Sequence, residues 1–139
     1  MLSIHNLHIR YSEHRAVHDF NLHVGSGEII ALVGPTGCGK SSVLRAVAGL
    51  LRPDRGEIVI DGLCTSREYF VPPEKRRTGL VFQDFALFPH LDVARNIGFR
   101  VKDSGEVDKW IATLGLEAHR TAMPETLSGG QKQRVALAR

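Results

Sequence analysis

Ile29-Ile30-Ala31-Leu32-Val33-Gly34-Pro35-Thr36-Gly37-Cys38-Gly39-Lys40-Ser41-Ser42 is the stretch on which the reading of this 139-residue chain turns. Its first five residues form a continuous apolar run, the pattern of a strand buried on both faces in a parallel sheet under helices. The glycines that follow allow a tight wrap in which successive backbone N–H groups point into one concavity. A helix beginning near Lys40 adds its unsatisfied N-terminal donors and the positive end of its dipole. Together these make an anion site. Residues 34–41 fit the pattern G-x-x-x-x-G-K-[ST], in which Lys40 reaches the β- and γ-phosphates of a nucleotide and the Ser41 hydroxyl meets Mg²⁺.

Working outward, residues 2–11 and 20–24 alternate and are bounded by polar or glycine-rich turns, which predicts antiparallel strands. The helix after the loop is predicted over 40–50, with Val43, Leu44, Val47, Leu50 and Leu51 at helical spacing. Residues 57–60, the turn Asp61-Gly62 and the run from Leu63 predict a hairpin. Pro72-Pro73 marks an exposed connection, and residues 78–82 read as a second buried strand. Beyond Phe88-Pro89 the pattern turns helical. Asp92 is placed to cap a helix through Val93, Ile97 and Phe99. Val107, Trp110, Ile111 and Leu114 recur at helical spacing and end at Gly115 as a C-cap. Ser128 with Gln131 gives a capping-box start to the last helix.

Composition sets modest bounds. At 139 residues and 42% hydrophobic content the chain reads as one globular domain. The formal charge of +3 is small and scattered, which argues against nucleic acid as a partner, and Lys75-Arg76-Arg77 reads as a solvated loop. No stretch approaches ~20 apolar residues and the polar N-terminus lacks a signal peptide's apolar core, so the chain is expected to stay in the cytoplasm. Two cysteines make no disulfide framework there. Cys38, at a helix N-terminus near Lys40, is either a favoured thiolate or a small residue the loop tolerates, and Cys64 reads as strand filler. The seven histidines show no metal-ligand spacing and read as surface or packing residues.

The phosphate loop, Val81-Phe82-Gln83-Asp84 and Leu127-Ser128-Gly129-Gly130-Gln131-Lys132-Gln133-Arg134-Val135-Ala136-Leu137-Ala138-Arg139 stand in the order and spacing of the ATP-binding subunit of ABC transporters. The chain resembles that family along its whole length. The resemblance implies an incomplete α/β P-loop NTPase of ABC type, with an antiparallel β subdomain, part of the parallel core sheet and the start of a helical subdomain. It implies a nucleotide-binding core part at 1–88, the helical subdomain at 89–126, and the signature with the start of its helix at 127–139. ATP would be held by Tyr11, stacking on adenine, by Gly34, Pro35, Thr36, Gly37, Cys38, Gly39, Lys40, Ser41 and Ser42, and by Gln83. Ser41 and Gln83 would serve Mg²⁺.

Ser128 and the N–H groups of Gly129 and Gly130 cap a helix end and so form a second anion site. By the resemblance, Leu127 to Gln131 serve the ATP of a second subunit in a head-to-tail dimer. The Q-loop at Gln83 and the helical subdomain would dock on transmembrane permease subunits at the cytoplasmic face of the membrane, with a substrate-binding protein engaged indirectly.

In the family the magnesium-positioning aspartate, the water-polarising glutamate and the switch histidine lie past the signature helix, beyond this chain. Catalytic residues are therefore expected to be absent, with ATP bound and not hydrolysed. Residues 29–33 and 78–82 are expected to present unpaired edges that favour aggregation. The run from Pro72 to Leu91 resembles ferric-iron importer subunits, with thiamine, polyamine, sulfate and sugar importers as alternatives. A non-transport ABC ATPase and a non-hydrolysing ATP-binding fragment are the rival classes. The compact interval between Gln83 and Ser128 speaks against the first of these.

Overall fold

The computed structural model describes residues 1–11, 14–101 and 103–139, the side chains of residues 11, 14 and 15 excepted. It divides into two compact units, Met1–Leu80 and Val81–Arg139.

In the first unit, β1 (Leu2–Tyr11), β2 (His14–Val24), β3 (Arg55–Ile60) and β4 (Leu63–Ser66) form an antiparallel sheet of order β2-β1-β3-β4. The helix α1 (Lys40–Val47) buries Val43 and Ala46 in one core with Ile4, Leu7, Ile9, Val17, Ile58 and Ile60. Strict alternation would place Ile4 and Leu7 on opposite faces of β1, yet both are buried. A bulge in β1 between Ile4 and Leu7 resolves this, and further register shifts follow in β2. Pairing steps from Ile4↔Leu22 to Leu7↔Phe20 and then to Ile9↔Val17, so β1 carries the extra residue first and β2 carries it next. Asn6 (φ 47°) and Asp19 (φ 50°) adopt left-handed backbone there. They are tied by Asn6 N–H to Asn21 Oδ1 (2.8 Å) and Asn21 Nδ2 to the Asp19 carbonyl (3.1 Å). A side chain at Gly56 (φ 86°) would start 2.3 Å from the Asn6 carbonyl oxygen, so only glycine lets β3 lie against the bulge.

The helix α1 ends at Val47, short of the predicted Leu50. Gly49 N–H donates to the Ala46 carbonyl (3.2 Å) and Leu50 N–H to that of Arg45 (2.9 Å), which closes the helix as a Schellman motif. Leu44 and Leu50, assigned by periodicity to the packed face, are 47% and 48% exposed. The basic triplet also departs from expectation, because Arg76 is 6% exposed and is not a solvated loop residue. Its guanidinium donates to the carbonyls of Val71 (2.8 Å), Ala46 (2.6 Å) and Val47 (2.8 Å) and to Thr65 Oγ1 (3.1 Å). The last carbonyls of a helix lack intrahelical donors and carry partial negative charge, and Arg76 supplies both donors and charge. Burial lowers its basicity.

Residues 29–33 and 78–82 are not strands. The expected part of a parallel core sheet is not formed among the described residues, whose four strands are all antiparallel. Ile29 and Val33 are 96% and 92% exposed, against the expectation of a strand buried on both faces. A strand exists through its ladder to a neighbour, and no described segment pairs with either run. The hydroxyl of Thr78 is buried with no hydrogen-bond partner among the described residues.

The second unit is helical, with α2 (Val93–Ile97), α3 (Ser104–Thr113) and α4 (Gly129–Ala138). Val93, Ile97, Val107, Ile111, Leu116, Leu127, Val135 and Ala138 form its core. Asp92 caps α2 by accepting from Arg95 N–H (2.8 Å), and Gly115 follows the C-cap of α3 at φ 61°, both as the sequence predicts. Asn96 is fully buried. Its amide accepts from Phe88 N–H (2.9 Å) and donates to the Leu91 carbonyl (2.7 Å), fastening the segment that enters α2. Among the described residues no helix is long and apolar enough to cross a membrane.

Candidate functional site

The loop before α1 is shaped by its own lysine. Lys40 Nζ donates to the carbonyls of Gly34 (2.7 Å) and Pro35 (2.8 Å) and lies 3.5 Å from Cys38 Sγ, so residues 34–39 curve around one ammonium. Gly39 is the N-cap of α1 at φ 94°. A Cβ there would stand 2.2 Å from the Ala16 carbonyl oxygen and 2.8 Å from Val17 Cγ2, so β2 presses directly on the loop backbone. That contact fixes where the helix starts.

The first turn of α1 holds no acidic residue, and its opening N–H groups have no intrahelical acceptors. The electrostatic result is a loop suited to a multiply charged anion, with the Lys40 ammonium inside its curve. The two serines are separated by the helix itself: Ser41 is exposed beside the loop, whereas Ser42 is 9% exposed on the packed face. Ser41 is thus the hydroxyl available to a hard cation, which suits Mg²⁺, an ion that takes few protein oxygens and completes its shell with water and phosphate. Among the described residues no group of three or more His, Cys, Asp or Glu is arranged to hold a metal. Pro35, Thr36, Gly37 and Cys38 lie exposed along the loop. The Tyr11 side chain lies outside the described residues.

In the second unit, Ser128 is the N-cap of α4. Its Oγ accepts from Gln131 N–H (3.4 Å), and its N–H donates to Gln131 Oε1 (2.7 Å), the reciprocal box that the spacing predicts. Gly129 and Gly130 are exposed, and a Cβ on either would meet nothing within 4 Å, so the helix end is open to an incoming group. Leu127 points the other way. It is 6% exposed within the helical core and serves as the anchor of the motif. Gln83 is exposed in a turn closed by Phe85 N–H to the Phe82 carbonyl (3.0 Å). Arg139, at the far end of α4, donates to the Ala86 carbonyl (2.5 Å) and lies over the Phe88 ring, tying that turn to the signature helix.

Two residues next to these sites escape sequence reasoning. Arg76 clasps the end of α1 opposite the phosphate loop, and its buried acceptors lie five, eleven and thirty residues away. His119, read from sequence as surface or packing, sits with Nε2 at 2.7 Å from Gln131 Nε2. No local pattern announces either.

The fold is that of an ABC-type P-loop NTPase. Over 99% of this chain and 68% of its own, the cassette MJ0796, solved as a post-hydrolysis dimer bound to ADP and Pi, superposes with a TM-score of 0.81 at 28% identity. A family model described as ABC transporter matches residues 17–139, and the chain belongs to that family. It is 48% identical over 140 residues to the spermidine/putrescine import ATP-binding protein PotA of Methylococcus capsulatus, covering 93% of this chain and 35% of that protein. It is 42% identical over 144 residues to the sulfate/thiosulfate import ATP-binding protein CysA of Synechocystis sp., covering 98% of this chain and 40% of that protein. The chain thus spans 35% to 40% of the length of these curated relatives. Polyamine importers dominate such relatives, and ferric-iron specificity finds no support among them.

Proposed function

We propose that this chain is the ATP-holding part of the energy-coupling subunit of an ABC importer. The observation that carries the reading is the loop of residues 34–39, wrapped around Lys40 at the acid-free N-terminus of α1. A triphosphate entering there takes over the ammonium from the Gly34 and Pro35 carbonyls and accepts from the loop and helix N–H groups. These charge-assisted bonds are stronger than the carbonyl contacts they replace. Ser41 and Gln83 are the oxygen donors assigned to Mg²⁺, which when bound neutralises phosphate charge. Tyr11 is assigned to the adenine. The open end at Ser128, Gly129 and Gly130 receives the γ-phosphate of ATP held by a second subunit, with Leu127 and Gln131 fixing that end in place.

Transmembrane permease subunits are the partners of the Gln83 turn and the helical unit, at the cytoplasmic face of the membrane, with a substrate-binding protein engaged indirectly. Polyamine is the cargo favoured by the 48% relative, ahead of sulfate at 42%. Equilibrium binding of a fluorescent ATP analogue with Mg²⁺ tests the phosphate site. Lys40→Ala is expected to weaken it by at least about tenfold, the equivalent of one charge-assisted contact. Equal affinities in the two proteins would remove the proposal.

A further inference from the structure

We propose that His119 is a positioning residue for the signature, a lock that holds Gln131 in the orientation the capping box needs and releases it on protonation. The inference deepens the functional reading above and rests on it for its meaning, while the lock itself rests on geometry. Gln131 is bonded at both ends of its amide. Oε1 is 2.7 Å from Ser128 N, and Nε2 is 2.7 Å from His119 Nε2. A backbone N–H only donates, so the oxygen must face Ser128 and the NH₂ must face the imidazole. An amide nitrogen only donates as well. His119 Nε2 is therefore an acceptor, and the ring is neutral with its proton on Nδ1.

Protonation of the ring would set N–H against N–H. The amide then either loses His119 or turns over and loses Ser128, and the second outcome opens the cap at the helix end offered to phosphate. Charged groups on the segments that carry His119 and Gln131 include Glu117, Arg120, Lys132 and Arg134. Arg120 pairs with Asp108 of α3, and Arg134 of α4 donates to the Leu114 carbonyl (2.6 Å). Glu117 is exposed on the same segment as His119, and Lys132 is half-buried on α4.

The test uses the full 139-residue chain. Long-range nitrogen–proton NMR correlations read the His119 tautomer directly, and the expected form carries its proton on Nδ1. On acidification until the ring takes up a proton, the Ser128, Gly129 and Gly130 amides and the Gln131 side-chain amide should shift together with the ring. A proton on Nε2 at high pH, or signature signals that ignore the ring's titration, overturns the lock. His119→Gln offers an oxygen acceptor at similar reach and does not titrate, so its signature signals should hold their high-pH positions throughout. His119→Leu should show the low-pH pattern at every pH, and if the two variants behave alike the lock is wrong.

The gain in self-association that ATP adds above the nucleotide-free level, read by sedimentation, carries the functional part. It should weaken roughly fivefold at low pH in the wild type, about the loss of one N-cap contact, and not in His119→Gln. An undiminished gain in the wild type at low pH overturns the inference. No gain at any pH in any variant would remove the signature reading, with the NMR result still deciding the lock.

Discussion

Arg76 shows how much one side chain can fix. Its guanidinium has no carboxylate partner among the described residues and meets three carbonyls and a hydroxyl in a buried setting. Removing it strands those acceptors, and an unsatisfied buried group costs about 1–3 kcal/mol. Arg76→Met should therefore lower the unfolding free energy by roughly 3 kcal/mol in a urea titration. Arg76→Lys should recover only part of that, because one ammonium cannot span acceptors on three segments.

Cys64 gives a pH signature. Burial chiefly, and then hydrogen bonding to Glu57 with that carboxylate's charge, raises its pKa above the ordinary thiol value. A raised folded value means the thiol form is favoured by folding. The contribution is complete below the unfolded pKa and fades as pH rises through the folded one. Urea midpoints should accordingly fall, as pH rises past the ordinary thiol value of about 8.5, more steeply in the wild type than in Cys64→Ser, which has no thiol to titrate. At this scale Lys40 and Ser128 were legible in the sequence because their hydrogen-bond partners lie within six residues. Arg76 was not, since a basic triplet looks the same whether its acceptors are water or distant carbonyls.

Among the elements, the hairpin and the caps follow local chemistry. Asp61 and Gly62 take φ 47° and 83°, the turn that an Asp-Gly pair prescribes between β3 and β4. Asp92, Gly115 and Ser128 close their helices where the sequence places them. The length of α1 was overestimated because Leu50 and Leu51 continue its apolar periodicity, whereas Gly49 and the Arg76 clasp stop the hydrogen bonds at Val47. Leu127 tests how the signature is anchored. It is buried with Val93, Ile97, Leu116 and Val135, so Leu127→Ala should cost roughly 2–4 kcal/mol. Hydrogen exchange should quicken in the Val81–Arg139 unit and stay unchanged in β1 and β3, whose core shares no residue with it. Equal acceleration in both units would show that they do not fold independently.

For the molecule as a whole, two apolar runs, 29–33 and 78–82, have no strand partner among the described residues. Ile29 and Val33 are almost fully exposed, and Val81 and Phe82 are 44% and 37% exposed. Unpaired backbone beside exposed β-prone side chains templates association. The 139-residue chain should therefore self-associate at micromolar concentration in sedimentation without nucleotide, and Ile29→Lys with Val33→Lys should reduce it. A sharply monomeric wild type would refute this.

The sequence by itself determined the phosphate loop, the signature cap, the hairpin and the helical periodicities, because each depends on glycine conformers, capping side chains or spacing within a few residues. Only the tertiary structure decided that residues 29–33 and 78–82 are not strands, that β1 and β2 exchange bulges at Asn6 and Asp19, and that Arg76 and His119 hold the ends of α1 and α4. Those outcomes hinge on hydrogen-bond partners supplied from far along the chain. An apolar run states what it would bury, and only the rest of the fold supplies something to bury it against.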